Sequence, residues 1–460
     1  MVGLEPLFAG LDFVMREAAL FAATSFLVLG AGDVLVDLLW LALVVRRGVA
    51  GDRLIRASDL AGAGQPGTIA IFVPAWDEAE VIEPMLRHAL LRLRHEDFVI
   101  YVGCYPNDPA TIAAVARVGD PRVRLVVGPL PGPTTKADCL NRIWAAMVLD
   151  ERLKRRRVRA IVLHDAEDVV DPDELFVFDV LIGRFDMVQL PVFPLVDENS
   201  RWIAGHYADE FAESHGKEMV VRQAIGAALP SAGVGCAFAR EALEDIAAAR
   251  GGGPFDAGSI TEDYELGLRL RALGGRAAFV RLPGRDGRSL VVTKEYFPAT
   301  LEAAVAQKAR WMTGIALAGW DRLGWSGSLA ERWMRIRDRQ SLLAALALGA
   351  GYVAGLIWTM LTLRQIFLGI DADPVAPLLA LFLQINLAML GWRLMVRFAF
   401  VTHAYGWREG LRSLARIFVG NIIAMLAARR AILGYIAMRR TGSARWDKTA
   451  HAFPVEMPAE

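Results

Sequence analysis

The chain reads as an α/β domain on a mostly parallel sheet, flanked by transmembrane helices. Three observations carry that reading. Hydrophobic residues make up 54% of the 460, and mean hydropathy is +0.34, more apolar than a typical soluble enzyme. Apolar runs long enough to span a hydrocarbon core, which takes roughly 20 residues, sit toward the two ends. Between them, short Val- and Ile-rich runs alternate with helical patterns, as in a parallel sheet covered on both faces.

Residues 1–50 supply an N-terminal transmembrane helix, most apolar over 18–45. Asp33 and Asp37 interrupt it. Charge at that depth is costly, so both face other helices or lie near an interface. Arg46, Arg47, Arg53 and Arg56 follow; basic residues collect on the cytoplasmic side, which puts the N-terminus outside and the next domain inside. Residues 51–67, ending in AGAGQPG, form a linker.

The soluble domain covers 68–325, with interface helices to 340. TIAIFVPA, FVIYVGCYP, RVRLVVG, AIVLHDAED and DMVQLPVFP read as its strands, and Glu80 to Arg94 and Ala137 to Lys154 as helices. Two further spans occupy 341–400, at Leu342 to Leu363 and Val375 to Val396, joined by a turn containing DADP. Arg393, Arg397, Arg408 and Arg412 then return the chain to the cytoplasm. The apolar stretch 401–440 carries Arg429 and Arg430 near its centre, which reads as an interfacial or a fourth membrane helix. Residues 441–460, with SARWDKTAHAFP, make a polar cytoplasmic tail.

Bulk charge excludes some functions. Lys and Arg number 51, as do Asp and Glu; zero net charge with no basic tail argues against nucleic-acid binding. Cys104, Cys139 and Cys236 are odd in number and widely spaced, which argues against a disulfide framework or a zinc site and for reduced thiols.

In such sheets ligands collect beyond the carboxyl ends of the strands. Asp77 and Glu78, Asn107 and Asp108, and the cluster Asp165, Glu167 and Asp168 all fall there. The last three crowd negative charge onto the end of a buried strand, which needs a cation or strong donors to compensate it. Asp165 and Glu167 could converge on a hard cation such as magnesium or manganese, completed by substrate phosphates. The alternative is a solvated loop whose Asp171 caps the following helix before Pro172. In SITEDYELGLRLRALGG, Ser259 or Thr261 could cap a helix; alternatively Asp263, held at that helix start beside Glu262, serves as a general base. In QKARWMTG, Gln307, Arg310 and Trp311 share one helix face. Arg310 suits pyrophosphate oxygens, and Trp311 offers an apolar platform. His164 reads as a satisfied core histidine, and His206 and His215 as structural or acceptor-side.

The ordered set Asp77, DAE at 165–167, TED at 261–263 and QxxRW at 307–311, bracketed by membrane helices, resembles the family 2 glycosyltransferases of the cellulose-synthase and hyaluronan-synthase type. VPAWDEAEVI, SAGVGCAFAR and RWDKTAHAFP look closer still to the glycosyltransferase portion of the bacteriophage adsorption proteins. The resemblance implies a GT-A fold and an inverting transfer of sugar from a nucleotide diphosphate, usually UDP, to a membrane lipid or glycan acceptor. It implies a Mg or Mn ion on Asp165, Glu167 or Asp168, with Asp263 and Glu262 as the catalytic acids. Asp77, Glu78, Lys136, Gln307, Arg310 and Trp311 would hold the nucleotide sugar, and Gly233, Gly235, Cys236 and Trp311 the acceptor.

The setting implied is the bacterial inner membrane, in exopolysaccharide or surface glycan synthesis, with a possible secretion or outer-membrane partner. Two departures bear on this. The metal motif has Glu167 where many relatives carry Asp, and it adds Asp168, which leaves the ligating pair open. The chain ends shortly after WDKT, too soon for the cyclic-di-GMP-sensing domain common in the phage-adsorption relatives, so such regulation would need a separate partner. Single-sugar transfer to a lipid, or a silent membrane scaffold, are the rival readings.

Overall fold

A computed structural model describes residues 5–50, 55–60, 67–287, 289–371, 374–441 and 453–454; most of the WDKTAHAFP tail lies outside them. The strands are β1 (Ile69–Pro74), β2 (Phe98–Cys104), β3 (Val123–Val127), β4 (Ala160–Leu163), β5 (Met187–Gln189), β6 (Val192–Leu195), β7 (Cys236–Ala239), β8 (Ala277–Phe279) and β9 (Thr293–Tyr296). Seven form one sheet in the order β3-β2-β1-β4-β7-β5-β8, parallel except for β7, while β6 pairs with β9 in a small parallel sheet. DMVQLPVFP, expected as one strand, thus divides at Leu190 and Pro191 between two sheets.

The helices are α1 (Glu5–Ala50), α2 (Ile82–Arg92), α3 (Pro109–Ala116), α4 (Lys136–Lys154), α5 (Glu174–Leu181), α6 (Gly205–Glu213), α7 (Met219–Ala224), α8 (Arg240–Arg250), α9 (Glu262–Ala272), α10 (Leu301–Trp311), α11 (Gly319–Leu323), α12 (Leu329–Arg339), α13 (Ser341–Leu368), α14 (Pro377–Tyr405) and α15 (Trp407–Thr441). Strand alternation explains the continuous apolar runs. Ile69, Ile71 and Val73 of β1 pack with α2, α3 and α5 in one core, whereas Ala70 and Phe72 pack with α4, α8 and α9 in another. Both faces of the sheet are therefore dry.

Register positions the loops. Phe72 of β1 lies opposite Leu163 of β4, so the chain leaves both strands toward Asp77 and Asp165 at one edge. The antiparallel β7 has Cys236 opposite Leu163, so the glycine loop before β7 arrives at the same edge. One expected cap moves: α5 starts at Glu174 with Asp173 at its N-cap, and Asp171 instead accepts a bond from the Asp173 N–H at 2.9 Å.

Four helices are long and apolar enough to cross a membrane: Glu5–Ala50, Ser341–Leu368, Pro377–Tyr405 and Trp407–Arg440. At 1.5 Å per residue α1 is about 69 Å long, against about 30 Å of hydrocarbon, so it projects well beyond one leaflet. Its two aspartates face protein, as the cost of isolated charge demands. Asp37 pairs with Lys217 at 2.5 Å and accepts from Trp392 Nε1 at 2.8 Å; Asp33 pairs with Arg337 at 2.9 Å. Lys217 also meets Glu213, and Glu213 meets Arg397. This network fixes the segment after α6, and with it the α/β domain, to α1 and α14.

Breaking a buried pair leaves an uncompensated charge, whereas replacing both partners is often close to neutral. Asp37→Leu leaves Lys217 to share Glu213 with Arg397, and is therefore expected to destabilise the detergent-solubilised chain by about 3 kcal/mol. Adding Lys217→Met should recover most of that loss, because Glu213 keeps Arg397. Thermal unfolding of the two variants beside the parent checks it; a double variant no more stable than Asp37→Leu contradicts the ion-pair account.

Candidate active site

The site is built where three separate segments meet at the sheet edge. Lys136 opens α4, whose N-terminus is capped by Thr135 Oγ1 accepting from the Asp138 N–H. Its ammonium lies 2.5 Å from Asp165 Oδ1 on the loop after β4. Glu262 and Asp263, at the start of α9, are near enough for their charges to act on it. Burial alone would disfavour the Lys136 ammonium; the three carboxylates outweigh this and hold its pKa above the ordinary lysine range. In return, burial and the charge of Asp263 raise Glu262, with Lys136 opposing. Asp263 is raised by burial, against Lys136 and the N–H of Tyr264.

The glycine loop sets how closely these groups approach. Gly233 has φ +80°, and a Cβ there would sit 2.5 Å from Asp263 Oδ2. Gly235, at φ +55°, is pressed instead against Thr293 Oγ1 of β9. Cys236 is fully buried in the core beneath the loop, its thiol accepting from Ser231 Oγ at 3.2 Å. β7 alternation turns that side chain inward, which corrects the expectation that it contacts an acceptor.

Asp168 also departs from expectation. It is fully buried, and its Oδ2 accepts from His164 Nδ1–H at 2.7 Å and from the Asp165 N–H at 3.1 Å. Nε2–H of His164 donates to Glu174 at 2.8 Å. Burial would neutralise this imidazole, but Glu174 and Asp168 hold its pKa up at about 10, so the ring is charged. His164 is thus the satisfied core histidine expected, and Asp168 shapes the loop from below rather than facing a ligand. That leaves Asp165, partly exposed, and Glu167, buried two residues on.

Oxygen donors on one turn suit a hard divalent cation. Among the described residues no three His, Cys, Asp or Glu side chains gather closely enough to hold an ion alone. Magnesium-type sites with one or two carboxylates and substrate phosphates have that character.

Asp77 sits at φ +55°, exposed, with its N–H donating to Asp108 Oδ2 at 2.6 Å. Asp108 also caps α3, and the Glu78 N–H donates to Thr111 Oγ1 at 2.9 Å. The first two strand-end loops are thus tied together. On α10, Arg310 acts electrostatically on Asp263, and Gln307 is half-buried. Trp311 is less open than a free platform: Tyr207, Phe211 and Phe297 surround it at 6.0 to 6.5 Å between ring centres. Lys308 lies 4.9 Å over both the Trp311 and Tyr207 rings and pairs with Glu210. Sequence reasoning missed this cluster, although Lys308 lies inside the QxxRW run.

A model of the family described as "Glycosyltransferase like family 2" matches residues 66–314, the segment that contains every group above. The chain belongs to that family. It is 34% identical over 483 aligned residues to bacteriophage adsorption protein B of Escherichia coli K12, and equally to bacteriophage N4 adsorption protein B of Escherichia coli O157:H7. These alignments cover 98% of this chain and 64% of each relative, so the chain spans just under two thirds of their length. Among solved structures, mannosyltransferase PcManGT from Pyrobaculum calidifontis, in complex with GDP-Man and Mn2+, is similar with a TM-score of 0.53. That match covers 91% of this chain and 99% of the other at 17% identity. The fold is the GT-A fold of glycosyltransferases.

Within this glycosyltransferase domain Gly233 is a backbone position that admits little besides glycine. Gly233→Ala places a methyl against the Asp263 carboxylate and strains a left-handed φ, a conformation costing about 1–3 kcal/mol for other residues. The variant is expected to fold with a lowered melting point and to lose most sugar transfer. Transfer at the wild-type rate would show that Asp263 need not stand where the glycine lets it.

Proposed function

We propose that the chain is an inverting glycosyltransferase that moves a sugar from a nucleotide diphosphate, in first place a UDP-sugar, to a membrane-associated lipid or glycan acceptor. The observation that carries this reading is the meeting of Asp165, Glu262 and Asp263 around one ammonium, with Gly233 packed on the Asp263 carboxylate. So much negative charge at one strand end is ready for a cation and its diphosphate. Asp165 and Glu167 would hold a Mg or Mn ion, which when bound supplies positive charge to the leaving diphosphate.

Asp263 accepts the proton of the acceptor hydroxyl as its oxygen attacks the anomeric carbon. The bond from that carbon to the diphosphate oxygen breaks on the opposite face, and its electron pair leaves with the diphosphate. A raised pKa brings a carboxylate nearer to the value useful for such a base. Arg310 adds fixed positive charge beside Asp263, where preorganised electrostatics lower the barrier. Asp77, Glu78, Lys136 and Gln307 border the nucleotide side, and Trp311 with its aromatic neighbours the acceptor side.

The membrane helices support the location. In the proposed topology α1, α13 and α14 span the bacterial inner membrane with the catalytic domain cytoplasmic. α15 lies at the interface, since Ser413, Arg416, Ile423 and Ala427 are buried along one of its faces. Arg416 there is fully buried and paired with Asp209 of α6 at 2.6 Å. An acceptor confined to the bilayer surface meets the site with less loss of entropy than a free one. Synthesis of an exopolysaccharide or surface glycan fits that setting, as does the name of the phage-adsorption relatives, with a secretion partner completing export.

A nucleotide-sugar screen on purified membranes with magnesium or manganese, UDP- and GDP-sugars included, tests this through released nucleotide and product size. Asp263→Asn is expected to lower transfer by about 10² to 10⁴ while donor binding persists. Equal background activity in parent and variant, with every donor, would favour a silent scaffold; a single-sugar product would favour simple lipid glycosylation.

A further inference from the structure

A cavity of about 650 Å³ lies between the catalytic domain and the membrane helices, within the range of small-molecule sites. One wall comes from the catalytic domain and carries Arg281, Lys294 and His215; the other carries Trp40 of α1 and Phe400 and Tyr405 of α14. Among the described residues that line it there is no Asp or Glu.

The charge there is unbalanced. Other cations at this junction have carboxylates: Lys217 meets Asp37 and Glu213, Arg337 meets Asp33, and Arg397 meets Glu213. Among the described residues neither Arg281 nor Lys294 makes such a pair. Arg281 Nη1 donates only to the carbonyl of Gly216, at 2.8 Å. Burial and the nearby Arg47 push its pKa below the ordinary arginine range. His215 adds a neutral donor: its Nδ1 accepts from the Val192 N–H at 2.8 Å, which leaves Nε2–H as the ring's donor, and burial lowers its pKa to about 4. Arg281, exposed, and Lys294, half-buried, both line this cavity; two cations without an acid partner there favour an anion, which gains charge-assisted bonds from both.

The opposite wall decides which anion. Trp40, Phe400 and Tyr405 belong to helices apolar enough to cross a membrane, and such aromatics favour the depth of the headgroups. Basic pockets at membrane helices hold lipid phosphates for the same reasons. We propose that this cavity binds the phosphate of a membrane lipid, its headgroup on Arg281 and Lys294 and its tail along the aromatic wall. The site is separate from the Asp165 and Asp263 cluster. Phe211 joins it to the acceptor side, since it lines the cavity and lies 6.5 Å from Trp311. The proposal does not require that the lipid be the sugar acceptor, and a silent scaffold would bind it equally.

The test uses the full chain in detergent, titrated with dioctanoyl phosphatidic acid and followed by thermal unfolding, with dioctanoylglycerol and inorganic phosphate in parallel. Phosphatidic acid alone should raise the melting point saturably. Lys294→Gln and Arg281→Gln should each weaken half-saturation by about tenfold, the equivalent of one charge-assisted bond, and Lys294→Arg should restore it. An equal response to dioctanoylglycerol would mean an apolar groove, and an equal response to phosphate a free-anion site; either overturns the proposal. So does unchanged affinity in Lys294→Gln. Should Arg281→Gln fail to fold, the Lys294→Gln and Lys294→Arg pair carries the test alone. Because lipid binding is read without sugar transfer, its failure would leave the glycosyltransferase reading untouched.

Discussion

Carboxylates gathered at one edge of a buried sheet cannot all remain ionised unless positive charge stands among them, and Lys136 is the charge this fold supplies. The ammonium touches Asp165 and answers the charges of Glu262 and Asp263. Three loops, from β4, from α4 and from the start of α9, are thereby held at one point. Three carboxylates stand against that one ammonium, and burial, together with their mutual repulsion, raises the pKa values of Glu262 and Asp263. A substrate carrying its own cation would relieve that repulsion, so the electrostatic demand of the fold and the binding of a nucleotide diphosphate run in the same direction.

Much of this was legible in the sequence because it depends on local pattern. Apolar runs with both faces buried announced a parallel sheet, and carboxylates at their ends announced the site edge. Asp168 was harder to read: next to Glu167 it resembles another ligand, and only the buried His164, flanked by Asp168 and Glu174 at 2.7 and 2.8 Å, gives it a different partner. Cys236 was misread because a glycine loop suggests an open surface, whereas strand parity decides which side chain faces in. The Trp311 cluster draws on Tyr207, Phe211 and Phe297, which lie 104, 100 and 14 residues away, and no spacing rule reaches across such gaps.

Charged residues within apolar helices carried more information than their rarity suggested. Asp33 and Asp37 were expected to seek protein, and their partners turn out to be cations of the catalytic domain and its interface helix as well as of α14. An ion pair buried this way contributes little net stability compared with an apolar substitute, yet it tolerates few alternatives of geometry. Its effect is therefore to select one seating of the domain on the helices. The cavity lined by Arg281 and Lys294 lies at that same junction, where among the described residues neither cation has an acid partner.

The same logic extends to α10, which stands between the start of α9 and α15. After Trp311 the helix widens into a π-helical segment, Met312–Ala318; such departures from α geometry occur mostly where side chains must be re-aimed, often at functional sites. Here Gly314 lies so close to the TED segment that a Cβ would meet Thr261 Oγ1 at 2.5 Å. On the other side Thr313 Oγ1 donates to the Ala309 carbonyl at 2.8 Å, and Ala309 packs with Ala427 and Ala431 of α15. Small residues on both flanks leave no slack between the start of α9 and α15. Arg310 and Trp311 thus have their positions set jointly by the TED segment at the start of α9 and by α15.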